Sequence, residues 1–298
     1  MKRNFCLALA AICTLMLAGS PSLAGAQTAY QRAWNVLEDN LTQTSAGQRL
    51  AGVRALGIIY ENSHAAELAE KALKDSSPAV RPAAATALGQ MHARSAEKEL
   101  KEAVGDKQLP VVMAAAHALQ LLNDPACYEV YYEIFTGERR SNSGMISQEI
   151  QVMHDPKQLA EMGFNEGIGY VPFAGMGWDA LQTIMKDRKS GAAAKAALIA
   201  ALATDPDKRT TPVLVKATED KNWVLRMAAL EALAKRGDAS VLPKIEPALN
   251  DPRKEVQNIA AAAVIRLNDL ARIRKEKEKA AAAAPINHNK AEKGTGQP

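Results

Sequence analysis

The run Asp75-Ser-Ser-Pro78-Ala-Val80-Arg81-Pro82-Ala-Ala-Ala-Thr-Ala-Leu88-Gly89 carries the architecture of this chain in fifteen residues. Asp75 can accept hydrogen bonds from the free amides of a turn. The two prolines stand where a helix's first turn needs no donor. Val80, Ala84 and Leu88, four residues apart, then make one apolar stripe. A step of 31 residues carries Ala84, Ala85 and Leu88 onto Ala115, Ala116 and Leu119, inside Leu109-Pro-Val-Val-Met-Ala-Ala-Ala-His117-Ala-Leu119. The same step returns nearer the C-terminus, taking Asp220 to Asp251, Ala197 to Ala228, Leu202 to Leu233 and Ala229 to Ala260.

Each copy divides into two helical patterns, and a single helix pair cannot bury its own apolar face. Pairs stacked side by side can. Alanine runs let neighbouring backbones approach closely. The expected fold is therefore all-α: a right-handed superhelical solenoid of about five helix pairs, with a glycine- and aromatic-rich central insertion. Val80 to Gly89, and its weaker echo Val224-Leu-Arg226-Met-Ala-Ala-Leu-Glu-Ala-Leu233, resemble HEAT repeats, in particular the short HEAT-like class first named from phycobilin lyases. The resemblance spans residues 45–137 and 178–270. It implies that Arg81 and Arg226 are the class's recurrent arginine, tying one repeat to an acidic residue near the turn of another. Arg54 is the candidate for that position in the first pair. Val112 or Met113 stands there in the third, which breaks the ladder. Leu88, Leu119, Leu202 and Leu233 are the matching structural positions.

Residues 1–26 read as a cleaved signal peptide: Lys2 and Arg3 precede an apolar run from Phe5 to Gly19, and Ala24-Gly25-Ala26 follows Pro21. A periplasmic or extracellular protein starting at Gln27 is expected. The partition is then 27–137 and 178–271 for the repeat blocks, 138–177 for the insertion, and 272–298 for a charged helical extension and polar tail. Of the formal net charge of +4, Lys2 and Arg3 carry two, and the tail after Ala271 has a surplus of four. The body is left slightly acidic, which argues against a nucleic-acid-binding face. Cys127 is the one cysteine of the expected mature chain, read as a small buried apolar residue, with an intermolecular disulfide as the alternative.

Only 4% of the 298 residues are aromatic, and most of those lie between Tyr128 and Trp178. Tyr128, Tyr131, Tyr132 and Phe135 have helical i, i+3, i+4, i+7 spacing and are read as core. Farther on, five glycines and a proline in 163–178 oppose a helix. Phe164, Tyr170, Phe173, Met176 and Trp178 in that stretch are the candidate binding residues, since rings bury much area and lose few rotamers on docking. The other reading has them sealing the junction of the two blocks.

No catalytic constellation is present. His64, His92, His117, His154 and His288 are scattered, with no H-E-x-x-H, no G-x-S-x-G and no phosphate loop. No metal or cofactor is expected. The reading at this point is a non-enzymatic scaffold of the cell envelope that binds a protein partner. Two alternatives stand beside it: a lyase-like or ligand-binding member of the class with its cleft at the insertion, and a binder of membrane surfaces.

Overall fold

A computed structural model of the protein describes residues 27–136 and 192–283. The leader, the insertion with Phe164, Tyr170, Phe173, Met176 and Trp178, and the end of the tail lie outside the described residues. Within them every regular element is helical. In the first block these are α1 (Ala29–Leu41), α2 (Ala46–Leu56), α3 (Ser63–Ala72), α4 (Val80–Gln90), α5 (Glu97–Ala103), α6 (Leu109–Leu121) and α7 (Ala126–Thr136). In the second they are α8 (Ala192–Leu202), α9 (Thr210–Ala217), α10 (Trp223–Arg236), α11 (Leu242–Ile245) and α12 (Lys254–Ala283). Short 3₁₀ turns, Arg94–Ala96, Ala239–Val241 and Glu246–Asn250, complete the first helices of two pairs.

Local chemistry starts these helices where the sequence provides acceptors. Thr28 caps α1 in a reciprocal box with Gln31. Asn62 accepts from the Ala65 amide at the start of α3, and Asn222 from the Val224 amide at the start of α10. Gly237 ends α10 in the left-handed conformation at φ 70°. Non-glycine residues occupy the same region at Glu61, His92 and Asn123, with φ between 53° and 61°. These three are spaced by 31, so one strained corner recurs after α2, α4 and α6. His92 is thus a corner residue, of a type that tolerates this conformation better than most.

Five complete pairs stack in two layers among the described residues. The second helices form one continuous layer, packed in the order α8, α10, α12, α2, α4, α6. The solenoid therefore does not run in the order of the chain. The last helix, α12, lies against the first two, so the C-terminal block precedes the N-terminal block in space. The first and last described helices meet at the centre of the array, while among the described residues α7 and α8 are its two outer helices. Leu37 of α1, Leu56 of α2, and Val264 and Ile265 of α12 are fully buried in one core shared by both blocks. The second helices are buried almost all round, which explains why their sequences are runs of alanine, valine and leucine. At Gly89 a Cβ would lie 2.8 Å from Ala118 Cα, so α4 and α6 meet at backbone distance.

Neighbouring repeats are fastened by a recurrent staple. Arg81 donates from Nε and Nη2 to the two carboxylate oxygens of Asp106, at 2.8 and 3.0 Å, and from Nη1 to the Asp75 carbonyl at 3.1 Å. Arg226 holds Asp251 at 2.7 and 2.8 Å and reaches back to the Asp220 carbonyl at 2.9 Å. Each acceptor also closes its own turn: Asp75, Asp106 and Asp251 take the amides of Ser77, Gln108 and Arg253. A bidentate fork and a turn thus share one carboxylate. In the first pair the staple belongs to Arg49, not Arg54. Arg49 grips Asp75 with two 2.7 Å bonds and donates to the carbonyls of Gln43 and Thr44. That interaction raises the Arg49 guanidinium and holds the Asp75 carboxyl below its ordinary range. In the third pair Val112 carries no donor, and Lys101 of α5 takes the next acid, Asp124, at 2.6 Å.

Candidate functional site

Asp124 and Pro125 start α7. The carboxylate accepts from Lys101 and from the Ala126 amide at 2.9 Å, and these bonds pull the Asp124 carboxyl down to about 2. The helix so anchored turns Cys127 and Val130 into the core. Tyr131 is half-buried, its hydroxyl 3.3 Å from Gln120 Oε1, and burial pushes its phenol up. The other three rings do not join the core. Tyr128 is 62% exposed, Tyr132 57% and Phe135 91%. The expectation of four core rings is therefore wrong for three of them. The reason is position: α7 is the first helix of a pair, and among the described residues no second helix packs on its outer face.

The opposite end shows the same character more weakly, with Leu198 of α8 65% exposed. Between the ends, the joint of α12 with α1 and α2 collects polar groups. Asp269 of α12 accepts from the Tyr30 hydroxyl at 3.2 Å and from the Asn62 amide nitrogen at 2.6 Å, and Arg272 lies 3.2 Å from it. The Arg266 guanidinium sits 4.2 Å above the Tyr60 ring, and burial lowers its affinity for the proton. His64 is 2.8 Å from Glu38 and packs edge-on against Trp34. His117 lies near Gln120 on α6.

The Cys127 thiol is buried, and burial together with the Asp124 charge raises it, which suits a packing residue rather than a nucleophile. Among the described residues there is no cluster of three or more His, Cys, Asp or Glu able to hold a metal ion. No helix there is long and apolar enough to cross a membrane. Arg81, Arg226, Leu88, Leu119 and Leu233 sit in the repeat interfaces, the leucines fully buried, and Leu202 is partly buried at the edge of α8. What this surface offers chemically is contact area: an exposed aromatic row at i, i+4 and i+7 on a helix held to the core through Cys127 and Val130.

Among solved structures, the chain is similar to one in the complex of CpcE and CpcF of phycocyanin lyase from Nostoc sp. PCC7120. The identity is 20% over 85% of this chain and 97% of that one, with a TM-score of 0.32. No curated protein matches. This finding overturns the expectation that the chain is not an enzyme. The lack of a familiar catalytic motif is by itself no ground for excluding an enzyme. A likeness of that size transfers no lyase chemistry to these residues. The family model described as HEAT repeats matches residues 65–130 and 179–265, about half the chain, and the matched segments hold the Arg81–Asp106 and Arg226–Asp251 staples. The chain belongs to the HEAT-repeat family.

Proposed function

We propose that this HEAT-repeat scaffold is exported to the cell envelope and binds a protein partner through the exposed face of α7. One observation carries the reading: Tyr128, Tyr132 and Phe135 present a row of exposed rings along one helix. Exposed rings in a row are what protein interfaces use as anchors, because they bury large area at small entropic cost. The geometry suits an apolar helix laid along this row of rings. Phe164, Tyr170, Phe173, Met176 and Trp178 are proposed as further binding residues on the same argument from side-chain type. Export rests on the charged, apolar and small-residue succession of residues 1–26.

The test is capture from cell envelopes with mature wild type, with Tyr132→Ala, Phe135→Ala, and with Phe173→Ala, Trp178→Ala, helical content being checked by circular dichroism. Partners retained by wild type and lost by a folded Tyr132→Ala, Phe135→Ala variant support the reading. Equal capture by all three removes both surfaces from consideration. A second reading, ligand binding or lyase-like modification, is supported by the resemblance of Val80 to Gly89 and Val224 to Leu233 to the lyase-like HEAT class. Stoichiometric uptake of a bilin or other tetrapyrrole, followed by absorbance, would put it first.

A further inference from the structure

The joint between the chain's last helix and its first pair lacks the arginine staple that fastens α2 to α4, α4 to α6 and α10 to α12. Position 257 of α12 is one 31-residue step beyond Arg226, yet it holds Gln257, whose amide reaches the Asp251 carbonyl of its own turn and no acid on the next repeat. The turn it faces in register, Thr42-Gln-Thr-Ser45, contains no aspartate. In place of the staple, this seam has Asp269 with Tyr30 and Asn62, Arg266 on Tyr60, and a loose Arg32 to Glu246 pair at 3.7 Å. Among the described residues, the buried side-chain polar atoms that lack a hydrogen-bond partner are Asn40 Oδ1, both amide atoms of Asn258, and Arg266 Nε. All lie on α1 and α12, the two seam helices. Unpartnered buried polar groups weaken the apolar closure that Leu37, Leu56, Val264 and Ile265 supply, and a joint so weakened parts more readily than one fastened by staples.

We infer that the seam is a docking surface of subunit type: residues 27–136 and 192–283 fold as two bodies that bind one another reversibly across α12 and α1–α2, without needing the peptide link between α7 and α8. Hinge motion of the scaffold is then located at the seam, in the middle of the array. Joints held by the arginine staples move with their own block.

The test uses the full chain carrying a protease site within residues 137–191, cleaved while folded. The two fragments are expected to co-elute on native size exclusion at high concentration, with helical content retained, and to separate on dilution as folded species. Asp269→Ala, which strands the Tyr30 hydroxyl and the Asn62 amide, is expected to raise the dilution midpoint about tenfold, the equivalent of about 1.4 kcal/mol for lost hydrogen bonds. Arg81→Ala, away from the seam, is expected to leave the midpoint unchanged. Loss of helical content on cleavage would overturn the proposal. So would fragments that separate only on unfolding, or that stay joined equally well with Leu37→Asp in α1.

Discussion

The joint between α4 and α6 and the joint between α12 and α2 belong to one layer of second helices, but different chemistry closes them. At the first, Arg81 forks onto Asp106, and Gly89 lets the backbones touch. At the second, Gln257 stands in the arginine's phase, and the fastening has moved to Asp269 with Tyr30 and Asn62. Sequence separation explains the contrast. Staple partners lie 25 or 26 residues apart, a distance that the helix-pair geometry fixes, so repetition of the unit repeats the bond. Seam partners lie 239 and 207 residues apart, where no repeat can supply the match, and the contact uses residues found nowhere else in the pattern.

The strongest test of this contrast removes the side chain that stands in the arginine's phase at each joint. Arg81→Ala leaves the largely buried Asp106 carboxylate facing no cation and should cost about 1–3 kcal/mol in urea unfolding, with Arg81→Lys restoring little because the fork is lost. Gln257→Ala should cost about 0.5–1 kcal/mol, the worth of a single neutral bond. Equal losses would mean that the staple is not what distinguishes the two joints. The missing staple can also be built. Gln43 precedes Arg49 by six residues, as Asp75 precedes Arg81 and Asp220 precedes Arg226. Gln43→Asp with Gln257→Arg is therefore expected to stabilise the seam by about 1 kcal/mol, and a double-mutant cycle should show that most of the gain needs both changes.

Much of the array was readable before any coordinates, because helix pairs announce themselves by period: alanine and leucine at a fixed phase, aspartate and proline at each turn. The order of the blocks in space was not, since nothing local in Asp269 or Tyr30 says that they meet across the length of the chain. Arg49 was passed over for Arg54 because the first turn, Gln43 and Thr44, lacks the aspartate that marks the phase elsewhere. The exposure of Phe135 was misjudged for a related reason. Helical spacing shows that a stripe exists, and only the array shows whether another helix covers it.

Acid provides a finer comparison at the α5–α7 edge, where lysine substitutes for the staple arginine. The Lys101 ammonium, with the Ala126 amide, lowers Asp124 from 3.8 to about 2. A carboxylate with a depressed folded value contributes stability that is fully present above the unfolded value, near pH 4, and is lost as the pH falls toward 2. Thermal unfolding of wild type should therefore drop over that window, and Lys101→Ala should flatten the part due to Asp124. Lys101 is nearly half exposed, so water screens the pair and the change at neutral pH is expected to be small.

The smallest effect separates the joints at their corners. His92, between stapled repeats, and Glu61, beside the seam, both hold left-handed backbone at φ 53° and 56°. Glycine removes the Cβ strain of that conformation but adds entropy to the unfolded chain, leaving a net gain of about 0.5 kcal/mol for His92→Gly. Glu61→Gly gains the same backbone relief while withdrawing a carboxylate whose charge acts on Arg266, the half-buried guanidinium on Tyr60. Its melting temperature should therefore rise less than that of His92→Gly, or fall. If the two corners respond alike, Glu61 has no part in the seam, and its left-handed geometry reflects the repeat alone.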